Sequence, residues 1–188
     1  MTTWSRFTEE APKIASVFTR RHRATGNLCL LGTVRADGSP RISPVEPRIF
    51  DGMLVIVGMP GTTKFKDLAR DPRFCLHTAT ADPQVREGDA KLFGQVRDLP
   101  DREVHARFAQ DLFDESGFDI RGEEFDHFYV ADLTGASCVE VGADELAITI
   151  WKPGEGRMTQ SAPAGQDSRA GGVSELPVPG DARVRRVL

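Results

Sequence analysis

The chain has no apolar run near the ~20 residues that a membrane-spanning helix needs, and its opening, MTTWSRFTEEAPK, lacks the apolar core of a secretory signal. Both absences predict a cytoplasmic protein with no membrane partner. Cysteine is scarce. Cys29, Cys75 and Cys138 stand singly in apolar stretches, with no Cys-x-x-Cys pair and no histidine at ligand spacing, which argues for reduced core residues. Positive charge is not in excess either: 24 Lys plus Arg stand against 28 Asp plus Glu, a net charge of −4. Such a balance argues against a chain that coats nucleic acid. His22, His77, His105 and His127 share no spacing that suits a metal, and EEFDH (Glu123 to His127) reads as a polar helix-to-strand connection. No serine or cysteine has a Gly-x-Ser-x-Gly or comparable nucleophile setting, so hydrolase chemistry is unsupported. Internal repeats are absent.

What is present is a series of short β-prone runs. After an amphipathic segment predicted as a helix over Ala11 to Arg23, LCLLGTVRADGSPRISPVEPRIF places two such runs around Asp37-Gly38, a strong hairpin signal. A second turn at Asp51-Gly52 leads into MLVIVG, which predicts a three-stranded antiparallel meander. Helical spacing follows from Thr62 to about Arg70, with Phe65, Leu68 and Ala69 on one face, and Asp71-Pro72 ends it. RFCLHTAT and AKLFGQVRDL read as strands, Pro100-Asp101 opens a second helix to about Phe113, and FYVADLT, SCVEVG and ELAITIW supply the last strands. Many short strands joined by hairpins, with few helices, predict a mostly β, α+β barrel with peripheral helices. Three parts are expected: a helical segment over 1–27, the barrel over 28–158, and a tail over 159–188 whose Gly, Ala, Ser and Pro content cannot bury a core. RRHR (Arg20 to Arg23) reads as a solvated cap on the first helix.

The stretch GMPGTTKFKDLARDPRF carries the chemistry. It sets Thr62, Thr63 and Lys64 where a helix begins, directly after a Gly-Pro-Gly-like turn. A helix N-terminus presents unpaired N–H groups and the positive end of its dipole, so two hydroxyls and an ammonium there form an anion cradle suited to phosphate. The same residues also suit a plain N-cap followed by a solvated face. Local pattern does not choose between these.

Taken in order, TVRADGSPRISPVEP, DGMLVIVG, TTKFKDLARDPRF and AKLFGQVRDL resemble the pyridoxamine 5′-phosphate oxidase-like, FMN-binding split-barrel family, over roughly Leu28 to Arg157. The resemblance implies an antiparallel, Greek-key-like split barrel and a homodimer with two cofactor sites at the subunit interface. It implies FMN, with Thr62, Thr63, Lys64 and Arg41 on its phosphate. It also implies that Ser43, in phase with Arg41, faces the same pocket, that Pro44, Val45 and Glu46 line the ring, and that Val57 and Gly58, at the end of the third strand, belong to the cofactor site. Relatives commonly read Lys-x-Arg-Asn-Leu where this chain has Lys66-Asp67-Leu68, so the phosphate site is altered. ITIWKPGEGRMTQSA resembles the family's C-terminal Trp-x-x-Gly-x-x-Arg-x-His-x-Arg segment, in which the Trp packs near the flavin and the Arg-His-Arg set grips the substrate's phosphate: Trp151, Gly154 and Arg157 match, which implies Trp151 and Arg157 at the cofactor site, while Thr159 and Ser161 replace the His and the last Arg.

The resemblance therefore implies a flavin-dependent oxidoreductase that transfers hydride to or from a small molecule and is not a true pyridoxamine phosphate oxidase. A reductase that uses the deazaflavin coenzyme F420 is a second expectation. A third is a flavin or haem carrier without turnover. No residue stands out as a catalytic acid or base, and no metal is expected.

Overall fold

The structure is a computed structural model and describes residues 1–163 except 81, 83, 84 and 144. Among the described residues, four helices, α1 (Trp4–Glu10), α2 (Pro12–Ala24), α3 (Thr63–Arg70) and α4 (Arg102–Ser116), surround nine strands: β1 (Cys29–Val34), β2 (Pro40–Val45), β3 (Arg48–Phe50), β4 (Met53–Ile56), β5 (Arg73–Thr78), β6 (Asp89–Asp98), β7 (Tyr129–Val141), β8 (Glu145–Lys152) and β9 (Gly156–Pro163). Every strand pair is antiparallel, in the order β2-β1-β5-β6-β7-β4-β3 with the β8–β9 hairpin also joined to β7. β7 is where the sheet splits. Its first residues pair with β4 through Val55↔Val130, whereas Ala136 to Val141 pair with β8. This is the expected α+β split barrel.

The predicted three-stranded meander is corrected. β1 and β2 form the hairpin around Asp37-Gly38, where the Asp37 carboxylate accepts from Ser39 N at 2.9 Å and Gly38 has φ +84°. β3 and β4 form a second hairpin, but β4 turns to β7 instead of β2. Pro44 and Pro47 lack the N–H donors that a continued ladder at this point needs.

The N-terminal helices belong to the barrel core. Trp4, Phe7 and Phe18 are buried, the Phe7 ring stands edge-on 5.0 Å from Trp151, and Trp4 lies 5.3 Å from both Phe7 and Phe18. Truncating a side chain such as Phe7 would cost about 3–5 kcal/mol. The backbone N–H of Thr2 bonds Asp132 Oδ1 at 2.7 Å, tying the chain's start to β7. A second apolar cluster (Val55, Phe108, Leu112, Phe128, Val130) lies under α4.

The basic run at the end of α2 is not a solvated cap, since Arg21 and His22 are buried. Arg21 pairs with Glu87 at 3.1 Å, Arg20 donates to the Glu87 carbonyl at 2.7 Å, and His22 Nε2 meets the Pro47 carbonyl at 2.8 Å. Burial holds the His22 pKa below its ordinary value. β9 carries the final hairpin to Pro163, past the expected barrel end at 158; the rest of the predicted tail lies outside the described residues. Among the described residues no helix is long and apolar enough to cross a membrane.

Candidate cofactor-binding site

On β2, Ile42 and Pro44 point outward and are exposed, as is Glu46 just beyond the strand, while Arg41, Ser43 and Val45 alternate inward. The register sets Arg41 opposite Thr33 and Ser43 opposite Leu31 on β1. α3 packs over this face with Phe65 and Leu68 buried, and Phe65 lies 5.8 Å from the Tyr129 ring. At the end of β4 the chain passes so close to α3 that a Cβ on Gly58 would meet Phe65 Cε2 at 3.1 Å. Half-buried Val57 leads into this turn.

α3 begins without a side-chain cap. Thr62 has extended N-cap backbone (φ −67°, ψ 148°) and its carbonyl accepts from Phe65 N and Lys66 N at 3.1 Å. Its Oγ1 is buried and finds no partner among the described residues. A buried hydroxyl without a partner is costly, and this one lies at the open end of a helix, where an anion is favoured. The N–H groups of Thr63 and Lys64 fall within the unpaired first turn. Thr63 is exposed, Lys64 Nζ reaches the Pro44 carbonyl at 3.3 Å, and Lys66 is exposed. A hydroxyl, an ammonium and backbone donors thus stand at one helix start, and these residue types fit the phosphate end of FMN.

The helical face differs from the expected one. Ala69 is exposed and Asp67 is buried, 5% accessible. The Asp67 carboxylate accepts from Arg41 Nε at 2.6 Å, Thr33 Oγ1 at 3.1 Å and Arg70 Nη1 at 3.4 Å, while Arg70 also donates to the Val34 carbonyl. Burial would raise the Asp67 pKa, but the bonds from Arg41 and Thr33 outweigh it and hold the carboxyl below its ordinary range. Sequence reasoning missed Asp67, Thr33 and Arg70 as members of this cluster. The available signals were Asp67 standing where relatives carry Asn, and Thr33 alternating in phase with Arg41 across the hairpin.

The fold brings Lys64 to the Pro44 carbonyl, Arg41 to Asp67 and Gly58 against Phe65, beside the Thr62-Thr63 start of α3, while Ser43 shares the β2 face of Arg41 and the side chains of Pro44 and Glu46 are exposed. Three other predicted residues stand apart. Val45 is buried in the core. Trp151, 1% exposed, faces the core against Phe7 instead of lining the cradle, with its indole Nε1 unpartnered among the described residues. Arg157, opposite Trp151 on β9, is exposed, and its hairpin joins β7, three strands along the sheet from β1. Thr159 Oγ1 lies 3.2 Å from Thr149 Oγ1 within the same hairpin.

The fold is similar to that of several solved proteins. PhzG from Burkholderia lata 383, solved in complex with tetrahydrophenazine-1-carboxylic acid, superposes with a TM-score of 0.57 at 11% identity, over 84% of this chain and 96% of that one. A pyridoxamine 5′-phosphate oxidase-related, FMN binding protein from Nostoc punctiforme PCC 73102 gives 0.56 at 13% identity, over 81% and 96%. A heme binding protein from Mycobacterium smegmatis gives 0.51 at 16%, over 83% and 87%. At these identities the likeness concerns the fold. No curated protein matches the chain in sequence. The family model described as pyridoxamine 5′-phosphate oxidase matches residues 19–128, more than half of the chain and the whole of the cradle. The chain belongs to the pyridoxamine 5′-phosphate oxidase-like split-barrel family.

Proposed function

We propose that this chain is a flavoprotein oxidoreductase that binds FMN at the start of α3 and acts on a small molecule as a homodimer. The observation that carries the reading is the buried, unpartnered Thr62 hydroxyl at an uncapped helix N-terminus beside Lys64. Thr62 and the α3 N–H groups would bind phosphate by hydrogen bonds, and Lys64 would add charge. When bound, FMN supplies the two-electron, hydride-transfer chemistry. The chain's own part is to bind, orient and shield it.

Dimerisation is supported by the outer face of the sheet. Leu30, Ile42 and Phe93 are 41%, 73% and 39% exposed, and the register aligns Leu30 with Pro44, Gly32 with Ile42 and Cys75, and Cys75 with Phe93. Such a contiguous apolar patch suits a second copy of the chain. Oxidation of pyridoxamine 5′-phosphate itself is disfavoured, because Thr159 and Ser161 lack the cation and imidazole of the family's substrate grip.

Absorbance and native mass of the freshly purified protein, followed by titration of the apo-protein with FMN, coenzyme F420 and haem, test the reading. FMN binding at micromolar Kd or tighter, in a particle of twice the chain mass, is the expected result. Preference for F420 makes the chain a deazaflavin reductase instead, and haem alone makes it a carrier. Binding of none overturns the cofactor assignment.

A further inference from the structure

The cradle contains an anion of its own. Asp67 sits in the second turn of α3, is 5% exposed, and receives the Arg41 Nε–H at 2.6 Å. Its other bonds, from Thr33 and Arg70, are longer, at 3.1 and 3.4 Å. Arg41 reaches α3 from β2 through this bond, and its side chain is 24% exposed. A phosphate that recruited Arg41 fully would leave Asp67 as a buried charge held by Thr33 and Arg70 alone, and leaving a buried charge short of its partner is costly. The carboxylate also repels any phosphate that approaches the same guanidinium.

We propose that Asp67 is a specificity-determining residue that keeps Arg41 as its own ion-pair partner, so that a bound phosphate is held by Lys64, the Thr62 hydroxyl and the α3 N–H groups, with little from Arg41. This rests on the phosphate-cradle reading above. Its consequence is a cradle of reduced positive charge, which favours a singly charged phosphate diester over a doubly charged monoester more than a cradle with Asn at this position does.

Three proteins test this: the native chain, Asp67→Asn, and the double variant Arg41→Gln/Asp67→Asn. The readouts are Kd for FMN and for riboflavin, which lacks the phosphate, together with thermal stabilisation by inorganic phosphate. Asp67→Asn should tighten FMN about tenfold, the scale of one charge-assisted contact, and leave riboflavin unchanged. The double variant should return FMN to within about threefold of the native value. FMN affinity unchanged or weaker in Asp67→Asn, or lowered tenfold or more in the double variant, overturns the proposal, since Arg41 would then already grip the phosphate. If FMN fails to bind but phosphate stabilises Asp67→Asn more than the native chain, the flavin reading falls and this inference stands. If neither anion distinguishes the proteins, the inference falls. Asp67→Ser carries the same expectation should the Asn variant not fold.

Discussion

α3 and α4 both begin just after a proline-containing turn with a polar residue at the N-cap, yet the two starts are finished differently. At α4 the Asp101 carboxylate accepts from Glu103 N at 3.0 Å and Val104 N at 3.1 Å, so the helix is complete within its own sequence. At α3 the Thr62 hydroxyl reaches neither backbone nor side chain, although it is buried. One start is closed and the other is open. Because a cap contributes about 1 kcal/mol, an unused one marks a place where stability is forgone and an outside anion can recover it.

The largest expected effect extends this contrast to the far end of the sheet, where β9 carries Thr159 and Ser161. The FMN-loaded protein should form pyridoxal 5′-phosphate from pyridoxamine 5′-phosphate with kcat/KM about two to four orders of magnitude below that of a chain with both cationic contacts. Steady-state assay checks this, with Thr159→His/Ser161→Arg as companion. Robust native activity would show that another residue grips the substrate.

Next in size, Lys64→Ala should weaken FMN about ten- to a hundredfold, the loss of a charge-assisted bond of roughly 1.5–3 kcal/mol. Lys66→Ala should do much less, because residues two apart do not share a helix face. Equal effects in fluorescence titration would erase the distinction between an open helix start and a general basic surface.

The smallest effects compare the two caps directly in the apo-protein. Asp101→Ala should cost about 1 kcal/mol in denaturant unfolding. Thr62→Val should leave apo stability within about 0.5 kcal/mol of native or raise it slightly, since it removes a buried hydroxyl that has no partner, while weakening FMN. A loss at Thr62 as large as at Asp101 would mean that the α3 cap is already in use.

Much of this was legible in the sequence because it depends on local signals. Asp37-Gly38 and Asp51-Gly52 gave both hairpins, Asp71-Pro72 ended α3, and Pro100-Asp101 began α4. The partner of β4 was not legible, since the choice between β2 and β7 is made by residues some seventy positions away. Trp151 was placed at the flavin by likeness to the family's motif, yet its alternation with buried Thr149 along β8 turns it into the core. The burial of Asp67 was hidden for a different reason. On helical periodicity a carboxylate beside Lys66 reads as solvated, and only the arrival of Thr33 and Arg41 from the neighbouring hairpin makes an interior position tolerable.

The embedding of the first helices has a consequence for how the chain comes to be folded. Thr2 is tied to Asp132, 130 residues along the chain, and Phe7 packs on Trp151 of β8. During synthesis Phe7 emerges long before Trp151 and therefore waits until most of the barrel has been made before its burial site is complete. Long-range closure of this kind slows folding and leaves apolar surface uncovered in the interim, so the nascent chain is most prone to aggregate before β7 and β8 appear.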